Sequence, residues 1–347
     1  MRPHPLPLTA AVVTAVAAAV GAGLALPPVA AYAAPGPAAS GFTITDPRIK
    51  ESSGLAASRI HPGVYWTHND SDDGPYVYGV DSATGKTVAR ITMTGIGSPR
   101  DIEGISLGPD GQLYVGDIGD NRGGSWDHVW IYRFPEPKKL GNATLKAAQF
   151  TVKYADGPRN AEALMVHPVT GRVYIASKDE REGGLYEGPA TLTTSGTNTF
   201  RRIGDVPWVT DGAFSPDGGR LALRGYLWAR TYPWKDGRPA GDGESVAAPW
   251  QGQAESVTYT ADGSALMFGA EGANSRVVAV AVGPATDPGP SGPSGSPSRA
   301  PSGSAAPGAG SSAGPSDGNF TKGAFVLVAA MGLTLAAKRI LRRRPNP

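Results

Sequence analysis

Four acidic residues recur in this chain in one local setting: Glu103, Glu162, Asp211 and Glu255. Each is followed by a small residue and then an aliphatic one, in Glu103-Gly104-Ile105, Glu162-Ala163-Leu164, Asp211-Gly212-Ala213 and Glu255-Ser256-Val257, and Ser53-Gly54-Leu55 is an earlier copy without the acid. Carboxylates gathered at one place repel one another and require protons, basic neighbours or a bound cation. Their hard oxygen atoms suit Ca2+. The four are therefore candidate metal ligands, with Ca2+ as the candidate cofactor. Residues that open such strands can also accept backbone N–H bonds from a neighbouring strand, which is the competing role for each acid. A second oxygen-rich stretch, Gly116-Asp117-Ile118-Gly119-Asp120-Asn121-Arg122, offers Asp117, Asp120 and Asn121 on a Gly-rich turn. It lacks the spacing and closing Glu of an EF-hand loop.

Other chemistry is sparse. With no Cys, thiolate metal sites, disulfides and Cys nucleophiles are all excluded. There is no Gly-x-Ser-x-Gly turn, no HExxH pair and no phosphate-binding loop. His68 is the one His expected near the acids, so it is the candidate general base. Asn69, Lys178, Arg224 and Glu271 are candidate ligand-binding groups beside it.

The elements that must position these residues form a repeat. After each opening residue comes a turn, at Pro62-Gly63, Asp110-Gly111, Thr170-Gly171, Asp217-Gly218 and Asp262-Gly263, and then a β-rich run such as Leu113-Tyr114-Val115 or Leu266-Met267-Phe268. Asp-Gly between apolar runs is a strong hairpin signal. The copies start 50, 59, 49 and 44 residues apart, the period of a four-stranded propeller blade. The fold class is all-β: a five-bladed β-propeller over residues 42–283, with six blades as the alternative if one hides in the long interval after the second copy. The last copy is one strand short, and Phe42–Thr45 is expected to supply it and remove an open edge. In this geometry the openers and the ends of the second strands share one mouth of a central channel.

The two ends differ in composition. Residues 1–33 read as a signal peptide, with Arg2, an Ala- and Val-rich run and Ala31-Tyr32-Ala33 as the cleavage site. Residues 284–319 are a Pro/Gly/Ser-rich linker expected to be disordered. Residues 323–341 form a short apolar segment expected to be a single transmembrane helix, and residues 342–347 are a basic cytoplasmic tail. The chain is thus expected in the cell membrane as a single-pass protein, with the propeller outside the cell.

Charge excludes one class of partner. Of 32 Lys and Arg, Arg2 lies at the start and five lie in the last ten residues; the 26 between them face 30 Asp and Glu, a balance of about −4. That is no footprint for nucleic acid. The expected partners are an extracellular ligand and, through the C-terminal helix, the membrane; the domain is expected to be a monomer.

The motifs Ser53-Gly54-Leu55, Trp66-Thr67-His68-Asn69-Asp70, Asp101-Ile102-Glu103-Gly104-Ile105 and Leu113–Asn121 resemble secreted actinobacterial β-propellers grouped with phytase-like esterase and WD-type propellers. The resemblance implies Ca2+ held by carboxylates at the channel mouth, here Glu103, Glu162, Asp211 and Glu255, and in some members hydrolysis of phosphate or ester bonds. This mouth departs from the phytases, since Lys178, Arg224, Arg100 and Arg159 are too few for a polyphosphate. Two functions follow: a metal-stabilised binding module for a wall component, small molecule or protein, or a metal-dependent ester or phosphoester hydrolase.

Overall fold

The computed structural model describes residues 39–71 and 73–283. The expected signal peptide, linker, transmembrane helix and basic tail lie outside these residues, as does Asp72. The described residues are built of β-strands and turns, and no helix among them is long and apolar enough to cross a membrane.

Antiparallel pairing groups the strands into successive meanders. The first runs Ser52–Ala57, Val64–Asn69, Tyr76–Asp81 and Thr87–Thr94. The second runs Ile102–Leu107, Gln112–Asp117, Val129–Pro135 and Ala148–Tyr154. The third is Ala161–Val166, Val173–Ser177, Gly184–Glu187 and Thr197–Asp205. Next come Asp211–Phe214, Arg220–Arg224, Ala229–Lys235 and the short Glu244–Val246. The last meander is Ala254–Tyr259, Ala265–Ala270 and Arg276–Ala281, completed by Phe42–Thr43 from the start of the domain. The hairpin turns have the required geometry: Gly111 and Gly263 sit at φ +67° and +73°, where only Gly is unstrained.

The first strands of these meanders pack in a cycle. Ser52–Ala57 lies against Ile102–Leu107, that against Ala161–Val166, that against Asp211–Phe214, that against Ala254–Tyr259, and the last returns to Ser52–Ala57. A ring of inner strands around one axis makes this chain a β-propeller. Hydrophobic clusters fill the wedges between neighbours. Trp66, Val77 and Ile91 of the first meander meet Leu113, Tyr132 and Phe134 of the second, and Leu55, Tyr65 and Tyr78 meet Met267 and Val277 of the last. Fully burying each such side chain stabilises by about 1.5–3 kcal/mol.

The recurring small residue after each opener has a packing cause. A Cβ on Gly104 would lie 2.6 Å from the Leu164 backbone nitrogen of the next inner strand. The adjacent strands approach too closely there for a larger residue.

Two pairings go beyond the repeat. Asn142–Lys146 adds a parallel strand to the outer edge of the first meander, and Ala148–Tyr154 runs parallel to Thr197–Asp205 of the third. The residues that lengthen the second interval form this added strand and the 118–128 loop.

Candidate functional site at the channel mouth

The inner hairpins lose register at their openers. The pairing shifts between Ile102 and Gly104, between Ala161 and Ala163, and between Ala254 and Ser256. The residues passed over are Glu103, Glu162 and Glu255. A β-bulge bends its strand and re-aims a side chain, and here it brings three carboxylates from three meanders into one electrostatic neighbourhood. Lys178, just beyond the strand Val173–Ser177, sits among them. Its Nζ lies 3.0 Å from Glu162 Oε2 and donates to the Tyr226 hydroxyl at 2.9 Å, and Glu255 and Glu103 also act on its charge. Burial draws the Lys178 ammonium down, but Glu162, Glu255, Tyr226 and Glu103 together hold it well above its ordinary range.

A tighter group lies on one side of this ring. Oxygen atoms of Asp70, Asp101 and Glu103 all fall within 4.8 Å of one another. Asp101 and Glu103 are buried and Asp70 is half-buried. Asn121 Nδ2 donates to Asp101 Oδ2 at 2.9 Å, Ser71 Oγ to Asp70 Oδ1 at 2.7 Å, and Ser53 Oγ to Glu103 Oε2 at 2.7 Å. Burial, then Glu162, Asp101 and Asp70, push Glu103 well above the usual carboxylate range. Burial, with Glu51 and Glu271 nearby, pushes Asp70 up to about 9. Burial raises Glu162 to about 8 even though Lys178 pulls the other way. Desolvation and like charge thus raise Glu103, Asp70 and Glu162 together, and a bound cation would offset both effects.

The other sequence candidates divide. Asp211 stays in regular register opposite Arg224 and accepts the backbone N–H of Gly212 and of Val257, each at 2.8 Å. It ties one inner strand to the next. Arg224 is fully buried and donates to the Ser256 and Gly269 carbonyls at 2.6 and 2.5 Å and to Gln251 at 2.7 Å. It clamps two meanders together. Asn69 accepts from the Lys50 and Glu51 amides and donates to the Arg48 carbonyl and Asp73, which ties the 48–51 segment to the end of the strand Val64–Asn69. Glu271 accepts from Gln253 at 2.9 Å and contributes charge near Asp70. His68 is fully enclosed, and burial lowers it to about 4. Its Nε2 lies under Gly54, in the wall between the first and second meanders.

Asp117, Asp120 and Asn121 do not gather as one group. Asp117 accepts from the Arg100 and Asp101 amides and from the Tyr132 hydroxyl at 2.6 Å. Asp120 accepts from the Trp126 amide at 2.7 Å and from Ser125. Only Asn121 reaches the mouth, through Asp101. Asp101 and Tyr226 were not among the sequence candidates. The Asp101-Ile102-Glu103 spacing could have revealed Asp101, since alternate residues of an extended strand share a face; Tyr226 stands in a loop without such a signal.

The far end of the channel opens into a cavity of about 320 Å3 lined by Ala57, Leu107, Val166, Phe214 and Thr260. It contains none of the mouth acids.

The acids and the ring of inner strands together define the class, a β-propeller with an acidic channel mouth. No family model matches the chain, and no curated protein matches it. Among solved structures it is similar to the PQQ-bound form of an aldose sugar dehydrogenase from Streptomyces coelicolor, at 14% identity and TM-score 0.42, over 70% of this chain and 99% of that one. It is also similar to hydrazine synthase of Kuenenia stuttgartiensis, at 14% identity and TM-score 0.37, over 63% of this chain and 61% of that one.

Proposed function

We propose that this chain is a five-bladed propeller, displayed outside the cell on a C-terminal membrane anchor, that binds its ligand through a divalent cation held at the channel mouth. The five-blade count is supported by the five inner strands that close the ring and by the short pairing of Phe42–Thr43 with Arg276–Ala281. Display and anchoring are supported by the apolar terminal segments and the basic tail.

One observation carries the cation: the convergence of Asp70, Asp101 and Glu103 oxygens within 4.8 Å in a site rich in carboxylates. An all-oxygen, acid-rich set favours a hard ion, and Ca2+ tolerates its irregular geometry better than Mg2+ does. Glu162 adds negative charge beside Glu103, Glu255 adds it beside Glu162, and Lys178 offsets part of it. Bound there, Ca2+ would supply a positive centre for an anionic or hydroxyl-bearing ligand, and the carboxylates of Asp70, Asp101 and Glu103 would hold it. The hydrolase reading gains no base from His68, which is buried in the wall. Calorimetric titration with Ca2+, Mg2+ and Mn2+ tests the proposal. Saturable binding with Ca2+ preferred is expected, and no binding of any of the three would overturn it.

A further inference from the structure

A second cavity, separate from the channel, lies on the flank of the second meander. Its volume is about 330 Å3, near the lower end of the ~300–1,000 Å3 usual for small-molecule sites. Trp126, Asp127, His128, Lys153, Tyr154 and Pro158 are among its lining residues. None of the mouth acids contributes to it.

Trp126 is pre-set as a rigid platform. The Arg100 guanidinium lies 4.0 Å from the centre of its ring and 3.8 Å from that of Trp130. The same Arg100 donates to the His128 carbonyl at 2.7 Å, and Asp120 holds the Trp126 amide. The turn that looked like a cation loop thus serves to fix an aromatic residue and the backbone on either side of it. A ring already held in place loses little freedom when a ligand stacks on it.

Around Trp126 the polar groups are of mixed type and nearly balanced in charge. Asp127 Oδ1 lies 2.6 Å from His128 Nδ1, and Lys153 Nζ lies 3.5 Å from Asp127 Oδ2. Tyr154 is 8% exposed and its hydroxyl is enclosed in the protein, so the residue contributes to the cavity wall without presenting its oxygen to the cavity. One Lys beside an Asp is too little positive charge for a phosphate. Three polar side chains, Asp127, His128 and Lys153, are too many for a lipid or a plain hydrocarbon. An aromatic face with acceptors and donors at its edge fits a neutral ring that carries several hydroxyls.

We propose that this flank cavity binds a neutral pyranose unit of a glycan, with Trp126 as the stacking platform and Asp127, His128 and Lys153 reading its hydroxyls. The test uses the full chain in a detergent without a sugar head group, with chelator present. Calorimetry and ligand-observed NMR follow binding of methyl glycosides and tetrasaccharides of glucose, galactose, mannose and N-acetylglucosamine. At least one series is expected to bind the wild type. Trp126→Ala should weaken that binding roughly tenfold or more, the equivalent of about 1.4 kcal/mol. Asp127→Asn removes the charge of a side chain that is 74% exposed; it should weaken binding several-fold without lowering the melting temperature, and it decides the matter if Trp126→Ala does not fold. Failure of every sugar to bind the wild type would overturn the proposal, as would unchanged binding in Asp127→Asn. Binding that appears only with Ca2+ would place the sugar at the channel mouth and overturn it as well.

Discussion

The Ser53 hydroxyl donates to the Glu103 carboxyl across the boundary between two meanders, at 2.7 Å with both residues buried. The one opener in the repeat that is not an acid therefore supports the acid of its neighbour. Ser53→Ala should destabilise the domain by about 1 kcal/mol, the net worth of one buried hydrogen bond. It should also weaken Ca2+ binding, because Glu103 loses the group that orients it. Urea unfolding and calorimetry of the same variant check both effects.

Asp211 belongs to the same repeat but does different work. Its two oxygens satisfy the amides of Gly212 and Val257. Asp211→Ala leaves two buried donors without partners, at about 1–3 kcal/mol each. A loss of several kcal/mol in urea unfolding is expected, with Ca2+ affinity nearly unchanged in the protein that remains folded. A large loss of affinity with little loss of stability would move Asp211 into the metal site.

These two residues show how far the sequence could be read. Hairpin turns, strand pairs and the closing contribution of Phe42–Thr43 were legible because Asp-Gly turns and alternating apolar runs are local signals. The convergence of Glu103, Glu162 and Glu255 was legible from their shared place in the repeat. Asp211 shares that place, yet its strand has no bulge, and a bulge is not written in a single residue. Arg224 and Asn69 ended strands at the expected mouth but turned their donors to backbone carbonyls. That choice depends on the neighbouring meander rather than on local sequence. The parallel strand Asn142–Lys146 was missed for the same reason, since its partner lies some fifty residues earlier in the chain.

Close packing between inner strands gives a third prediction. Gly104→Ala should destabilise by about 1–3 kcal/mol through overpacking, because the added methyl meets the Leu164 backbone. A methyl added at Gly97 would meet nothing within 4 Å, and alanine there should have little effect on the melting temperature.

The mouth acids also set a pH dependence. Burial pushes Asp70 up to about 9 and Glu162 up to about 8 in the folded chain, above the ordinary range of about 4. Groups raised in this way contribute stability that is fully present below their unfolded values and is lost as pH rises through their folded ones. In chelator, the melting temperature should therefore fall between about pH 5 and pH 9. Ca2+ replaces the protons and should flatten that slope. Thermal scans across this range, with and without Ca2+, check the sign. A melting temperature in chelator that rises over the same range would contradict it.

The most direct measurement is a Ca2+ titration of the chelator-treated chain near neutral pH, run in two buffers of different ionisation enthalpy. Ligands that hold protons in the free site must release them when metal binds. Saturable binding is expected, with proton release that the two buffers report as different heats, and Glu103→Gln should abolish or strongly weaken it while the fold persists. Absence of binding, or binding that Glu103→Gln leaves unchanged, would contradict a cation site at the channel mouth.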